Sequence, residues 1–302
     1  DGYDIVQSDE EADVYIINSC TVTSVGDKKT RQTMRKFKRQ NPAAKIALTG
    51  CFPQAFPDIS KELPEADIIT GSYNRAGLIK SVKEAFATGN TVVDITPHKP
   101  QEKFEQMQSQ GFAQHTRAFI KIEDGCDRYC TYCIIPKARG PVRSKELEDL
   151  KTEVMALAES GYKEVVLVGI NLSSYGKEIG ARLVDAVELA CSIDGIERVR
   201  LGSLEPELLT DEDMDRLVNL QKFCPQFHLS LQSGEDETLK RMKRHYNTAS
   251  YRQIVCKIRD KFKNPSITTD IMVGFPGESQ VEFEKSLAFA KEIAFAKVHV
   301  FA

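Results

Sequence analysis

Short apolar runs recur along the chain, and few of them alternate cleanly with polar residues. Asp13-Val14-Tyr15-Ile16-Ile17-Asn18 and Lys45-Ile46-Ala47-Leu48-Thr49 are β-branched runs of the kind found in strands covered on both faces of a parallel sheet. Asp27 to Gln40 lies between them and reads as a helix. Strand, helix and strand in this order imply a right-handed parallel unit. Asp67-Ile68-Ile69-Thr70 adds a third strand. From Arg117 onward the pattern becomes repeated βα units. Strands are predicted at Ala118 to Ile122, Glu164 to Val168, Arg198 to Leu201, Gln226 to Leu231, Ile267 to Val273 and Lys297 to Phe301. Helices are predicted at Ser144 to Ser160, Leu183 to Ser192, Glu235 to Met242 and Tyr251 to Phe262. Thr210-x-x-Asp213 and Ser279-x-x-Glu282 are helix-starting boxes for two more. The fold class expected is α/β: an amino-terminal open parallel sheet domain, then a six-stranded partial (β/α) barrel, with a full eight-unit barrel as the rival. Thr91 to Gln110 is polar, with Pro97 and Pro100, and reads as an interdomain linker that can carry a hairpin arm. The expected divisions are 1–96 for the first domain, 97–115 for the linker and 116–302 for the barrel.

Composition narrows the class without naming a function. The 302 residues are 41% hydrophobic and 28% charged, ordinary for a globular protein of about two domains. The net charge of −3 gives no global basic field, so any nucleic-acid contact rests on local patches. One such patch is the predicted helix carrying Lys28, Lys29, Arg31, Arg35, Lys36, Lys38 and Arg39. It reads equally as a solvated face or a phosphate-binding surface. Arg241, Lys243, Arg244 and His245 form a second group, which reads as a solvated helix end. No apolar run approaches the ~18 residues of a membrane span, so no membrane partner is expected. The cysteines do not form a secreted disulfide framework, and metal chemistry in the cytoplasm fits them better.

Three of the eight cysteines stand together in Gly125-Cys126-Asp127-Arg128-Tyr129-Cys130-Thr131-Tyr132-Cys133, spaced C-x3-C-x2-C. Thiolates at this density are metal ligands. A structural zinc site wants four ligands, and no fourth Cys or His lies close by: His115 precedes the group by eleven positions and the next is His228. Three thiolates suit a [4Fe–4S] cluster with one iron left open. Cys20 and Cys51 each fall just past a predicted parallel strand, where open α/β sheets bind ligands, and shared ligation is expected of them. Polar residues gather at the ends of the barrel strands: Asn171, Ser203, Glu205 and Gln232 follow the second, third and fourth, and Asp270 sits near the end of the fifth as a weaker candidate. Asp270 also reads as a helix cap or turn acid. Glu123 and Asp124 are expected to be exposed beside the cysteine loop, and Cys191, Cys224 and Cys256 to be structural.

The loop, with Tyr132 as its aromatic, resembles the signature of radical S-adenosylmethionine enzymes. Lys121 to Gly125 before it and Ile134-Ile135-Pro136-Lys137-Ala138-Arg139-Gly140-Pro141-Val142-Arg143-Ser144 after it resemble the methylthiotransferases of that superfamily. The resemblance runs from about Asp13 to Phe301 and favours six barrel strands over eight. It implies that Cys126, Cys130 and Cys133 hold a cluster whose open iron chelates S-adenosylmethionine. It implies cofactor contacts at Asn171, Ser203, Glu205 and Gln232, with Tyr132 flanking the adenine. Asn18-Ser19-Cys20-Thr21-Val22-Thr23 and Thr49-Gly50-Cys51 resemble two of three motifs that hold an auxiliary [4Fe–4S] cluster in the family. The third, an upstream Gly-Cys motif, is not found in this sequence, which reads as a fragment starting after it or as a natural two-cysteine variant, and the family's carboxyl-terminal RNA-binding domain is expected to be missing from the fragment as well. The chain opens at Asp1-Gly2-Tyr3 and is expected to be a fragment, with one well-formed cluster where the full-length protein has two.

The activity implied is insertion of a methylthio group at C2 of N6-threonylcarbamoyladenosine beside the tRNA anticodon. The branches acting on N6-isopentenyladenosine or on a ribosomal protein remain alternatives, as do a two-cluster electron-transfer protein and a zinc-dependent RNA-binding protein. The implied partners are tRNA and a reducing protein such as flavodoxin or ferredoxin. The sequence is silent on oligomeric state.

Overall fold

The computed structural model describes residues 2–8, 10–106 and 116–302. The expected linker therefore lies partly outside the described residues, at 107–115. The chain divides into two compact units, Asp1–Glu105 with Cys133–Pro141 and Gln106–Tyr132 with Val142–Ala302.

The first unit is a parallel sheet of β1 (Val14–Ser19), β2 (Lys45–Gly50), β3 (Ile68–Thr70) and β4 (Val92–Asp94), in that order. Helix α1 (Ser24–Gln40) joins the first two strands, α2 (Cys51–Ala55) follows β2 directly, and α3 (Leu78–Thr88) precedes β4. A returning helix, α4 (Ile135–Arg139), belongs to the same unit. Met34 of α1 is buried with Ile46 and Leu48 on one face, and Val82 and Ala85 of α3 with Ala47 and Ile68 on the other. Both faces are covered, which is why these strands read as continuous apolar runs. Strand β4 pairs with β3 where the polar stretch suggested only linker.

In the second unit, β5 (Ala118–Lys121) leads to β6 (Glu123–Asp124), which pairs antiparallel with β7 (Arg143–Ser144) across the cysteine loop. Then follow α5 (Leu147–Glu159), β8 (Glu164–Val168), α6 (Leu183–Ser192), β9 (Arg198–Leu201), β10 (Ser203–Leu204) and α7 (Asp211–Leu217). The chain continues through β11 (Gln226–Leu229), α8 (Asp236–Arg241), α9 (Thr248–Lys261), β12 (Ser266–Met272), α10 (Gln280–Ile293) and β13 (Lys297–Phe301). Parallel pairing runs β5–β8–β9 and then β10–β11–β12–β13. β9 and β10 are two pieces of one barrel strand interrupted at Gly202, whose N–H still reaches the Leu167 carbonyl at 2.9 Å. With that break counted, six parallel strands form the partial barrel. Leu150 and Val154 of α5, Val187 of α6, Tyr251 and Ile258 of α9 and Phe289 of α10 bury the outer face of its strands. Thr210 and Ser279 cap their helices reciprocally with Asp213 and Glu282, as their spacing predicts.

Candidate functional site

The cysteine loop leaves β6 at Gly125, whose φ of +88° suits a residue without a side chain. Tyr129 also takes a left-handed conformation, at φ +51°, and is exposed. Backbone of this kind keeps the loop out of helix and strand. Cys126 and Cys130 belong to the second unit, and Cys133 opens the segment that groups with the first. Cys130 is buried; Cys126 and Cys133 are half-buried. Among the described residues, no three Cys, His, Asp or Glu side chains converge closely enough to hold an ion as they stand.

Arg244 is the residue that most changes the reading of this loop. Its Nη1 donates to the Cys130 sulfur at 3.2 Å, and its Nη2 donates to the Glu205 carboxylate. Its Nε donates to the Tyr246 hydroxyl at 3.0 Å, and that hydroxyl in turn donates to the Leu231 carbonyl at 2.7 Å. The Arg244 side chain is only 4% exposed. The expectation of a solvated helix end fails here, because the partners Cys130 and Glu205 come from the loops after β6 and β10. Arg241 also departs from it, pairing with Glu282 at 2.8 Å. A cation against a sulfur suits an anionic, metal-ligating thiolate, so the donor set fits an iron–sulfur cluster.

Glu123 and Asp124 are buried, not exposed. The β6–β7 pairing draws them inside. Asp124 accepts from Lys121 at 2.8 Å and from the Gly125 N–H at 3.0 Å, which fixes the loop's entry. Glu123 accepts from the Asn171 N–H at 2.7 Å. Burial pushes the Glu123 carboxyl up to about 8, against the pull of the Asn171 N–H. Gly169 makes room for this contact: a Cβ there would stand 2.5 Å from Glu123 Oε2.

Of the predicted cofactor contacts, Asn171, Glu205 and Gln232 follow the ends of barrel strands, where barrels of this type place their sites, and Ser203 lies within β10. Asn171 is buried, and its Nδ2 donates to Ser174 at 2.8 Å. Its Oδ1 has no hydrogen-bond partner among the described residues. A buried acceptor of this kind is an opening for a ligand donor. The Glu205 N–H donates to Ser173 Oγ at 2.8 Å, tying the loops after β8 and β10 together. Ser203 is exposed at the start of β10. Gln232 is left-handed, at φ +66°, with its N–H on the Asp270 carbonyl at 2.9 Å. The ring of Tyr132 meets that of Phe275 edge-on at 6.3 Å. Asp270 caps no helix; it lies within β12 against His228.

In the first unit, Ser19 and Gly50 are partners in register, so Cys20 and Cys51 follow matched ends of neighbouring strands. Gly50 has φ +101°, and a Cβ there would sit 2.5 Å from the Ser19 carbonyl oxygen. Cys20 is exposed and Cys51 buried. Arg139 of α4 donates from Nε to the Cys51 sulfur at 3.1 Å. Neither Arg139 nor Arg244 stood out from spacing, since only tertiary contacts reveal them.

The basic helix α1 is divided. Arg31, Arg35 and Lys38 pair with Glu62, Glu65 and Asp67 at 3.2, 2.9 and 3.1 Å. Lys28, Lys29, Lys36 and Arg39 are exposed and make no ion pair among the described residues. Cys191 is buried, and desolvation pushes its thiol up to about 11. Cys224 is half-buried and Cys256 exposed, so burial does not explain Cys256.

Residues 120–290 match the radical SAM superfamily, and residues 1–71 match an uncharacterized protein family designated UPF0004. The chain is 39% identical over 301 residues to the threonylcarbamoyladenosine tRNA methylthiotransferase MtaB of Thermotoga maritima, covering 99% of this chain and 68% of that protein. Its identity to the Aquifex aeolicus protein of the same name is 37% over 300 residues, covering 99% and 73%. A tRNA-2-methylthio-N(6)-dimethylallyladenosine synthase of Clostridium botulinum is 36% identical over 296 residues, covering 95% and 65%. Among solved structures, the radical S-adenosylmethionine methyltransferase TsrM of Kitasatospora setae superimposes with a TM-score of 0.72 at 13% identity, over 97% of this chain and 63% of that one. That likeness is one of fold.

Proposed function

This chain belongs to the radical SAM superfamily and, within it, to the tRNA methylthiotransferases, and from that premise we propose that it inserts a methylthio group at C2 of N6-threonylcarbamoyladenosine beside the tRNA anticodon. One observation carries the reading. The C-x3-C-x2-C loop comes after the first barrel strand, by way of β6, in a chain 39% identical over 301 residues to a threonylcarbamoyladenosine tRNA methylthiotransferase. Cys126, Cys130 and Cys133 are the thiolates for the radical-generating [4Fe–4S] cluster. When bound, that cluster and S-adenosylmethionine supply the one-electron chemistry that an unactivated C–H bond requires.

The chain's own residues hold and orient. Arg244 sets positive charge against Cys130 and fixes the Glu205 carboxylate. Glu205, Asn171, Ser203 and Gln232 are the cofactor contacts, Asn171 through its unpaired buried acceptor. Tyr132 flanks the adenine. Cys20 and Cys51 contribute to an auxiliary cluster, with the Arg139 guanidinium against Cys51. An electron donor of the flavodoxin or ferredoxin class completes the reading, and the cytoplasm is where such a donor meets tRNA.

The 36% identity to a dimethylallyladenosine-specific relative supports a second reading, with the isopentenylated nucleoside as substrate. Incubating the reconstituted full-length protein with S-adenosylmethionine, reductant and tRNAs bearing one or the other nucleoside separates them. Nucleoside mass spectrometry is expected to show the methylthio product from the threonylcarbamoylated tRNA. Product from the isopentenylated tRNA alone would reassign the substrate, and product from neither would overturn the activity.

A further inference from the structure

The inner face of the carboxyl-terminal half of the barrel is polar, and of the cofactor contacts above only Ser203 lies in its strand rows. Along β10 to β12, Leu204, Phe227, Leu229, Ile267 and Ile271 are buried in the core under the helices, and Val298 of β13 packs partly against it. The strand period of two therefore sends the alternate residues to the opposite face. Register across the four strands places Ser203, His228, Thr268 and Lys297 in one row, with Asp270 beside His299 in the next. Closed barrels fill this face with bulky branched side chains. Here the same positions carry hydrogen-bonding groups, and the partial barrel leaves them reachable.

Within the rows, His228 is committed at both nitrogens. Nδ1 lies 2.9 Å from the Thr268 hydroxyl and Nε2 lies 3.2 Å from Asp270 Oδ2. The imidazole is 15% exposed and has no nitrogen left for a ligand, so its task is to hold the acid. Asp270 is 28% exposed, and its second carboxylate oxygen has no partner among the described residues. A carboxylate anchored by one oxygen and open at the other is an acceptor aimed at a ligand N–H or O–H. Its own carbonyl receives the Gln232 N–H, so the acid is one hydrogen bond from a residue assigned to the cofactor.

We infer that Asp270, oriented by His228, is a substrate contact: it accepts a hydrogen bond from the exocyclic N–H of an N6-substituted adenine presented to the open face of the barrel. His228 is a positioning residue. The inference rests on the tRNA reading above and adds to it the residue that recognises the base.

The test is binding of two anticodon stem-loops to the full-length, cluster-loaded protein. One carries N6-threonylcarbamoyladenosine; the other carries the same nucleoside methylated at N6, which lacks that N–H. Hydrogen bonds to charged groups contribute enough that removing the N–H is expected to weaken binding about tenfold or more. Asp270→Leu is expected to bind the two stem-loops equally, at the weaker level, while its affinity for S-adenosylmethionine stays that of the parent. His228→Phe, which removes both ring nitrogens without touching the ligand, is expected to lose most of the same discrimination. His228→Gln, which keeps a donor toward Asp270, is expected to restore part of it. Discrimination by Asp270→Leu equal to that of the parent would overturn the inference. So would a parallel loss of S-adenosylmethionine affinity, which would assign the acid to the cofactor. A parent protein that binds neither stem-loop would overturn the tRNA reading itself.

Discussion

Arg244 stands between Cys130 and Glu205, donating to the sulfur at 3.2 Å through Nη1 and to the carboxylate through Nη2. Removing one partner of a buried pair leaves the other uncompensated, which costs about 3–5 kcal/mol. Arg128 remains 4.0 Å from Glu205, so the lower end of that range applies. Arg244→Met is expected to lower stability by about 3 kcal/mol in denaturant unfolding. Arg244→Met combined with Glu205→Gln is expected to recover part of the loss. Equal stability of Arg244→Met and the parent would show that the guanidinium is not structurally committed.

Glu123 predicts a slope of stability with pH. Burial holds its proton in the folded chain to about pH 8, whereas the unfolded carboxyl releases it near 4.5. The folded state thus binds the extra proton between those values. Stability falls as pH rises through that window, by at most about 1.4 kcal/mol per pH unit. Above about pH 8 the contribution levels off. Glu123→Gln keeps the acceptor for the Asn171 N–H and removes the charge, so it is expected to flatten the decline and to gain stability over the parent at pH 8. Unfolding midpoints measured from pH 5 to pH 9 decide it; identical pH profiles would place the titration elsewhere.

The divided face of α1 separates two kinds of substitution. Arg31 and Arg35 answer acids of their own unit, while Lys36 and Arg39 project to solvent. If the exposed pair meets phosphates, Lys36→Glu with Arg39→Glu is expected to weaken tRNA binding severalfold. The dependence of log affinity on log salt should then flatten by about 0.7–0.9 for each phosphate no longer neutralised. Arg31→Glu is expected to act on stability instead. An unchanged salt slope in the double variant would return α1 to a plain solvated face.

Much of the architecture was legible because its signals are local. Apolar runs marked β1, β2 and the barrel strands, and the Thr210–Asp213 and Ser279–Glu282 boxes marked two helix starts to the residue. The break at Gly202 and the strand β4 were not visible, since pairing partners rather than composition create them. The cysteine loop was legible from spacing alone. Its surroundings were not. Glu123 and Asp124 look exposed in a charged stretch, and only pairing with Arg143 and Ser144, about twenty positions on, buries them. Arg244 looks like a solvated helix end until Glu205 and Cys130, each distant in sequence, close around it. Asp270 read as either a site residue or a helix cap or turn acid because its partner, His228, lies on the neighbouring strand.

The central claim is that the triad Cys126, Cys130 and Cys133 makes this chain a radical S-adenosylmethionine enzyme. Formation of 5′-deoxyadenosine from S-adenosylmethionine under strong reductant tests it most directly. The iron- and sulfide-reconstituted protein is expected to release 5′-deoxyadenosine, and the triple variant Cys126→Ala, Cys130→Ala, Cys133→Ala to release none. Release by the triple variant at the parent's rate, or none from the reconstituted parent, would contradict the account.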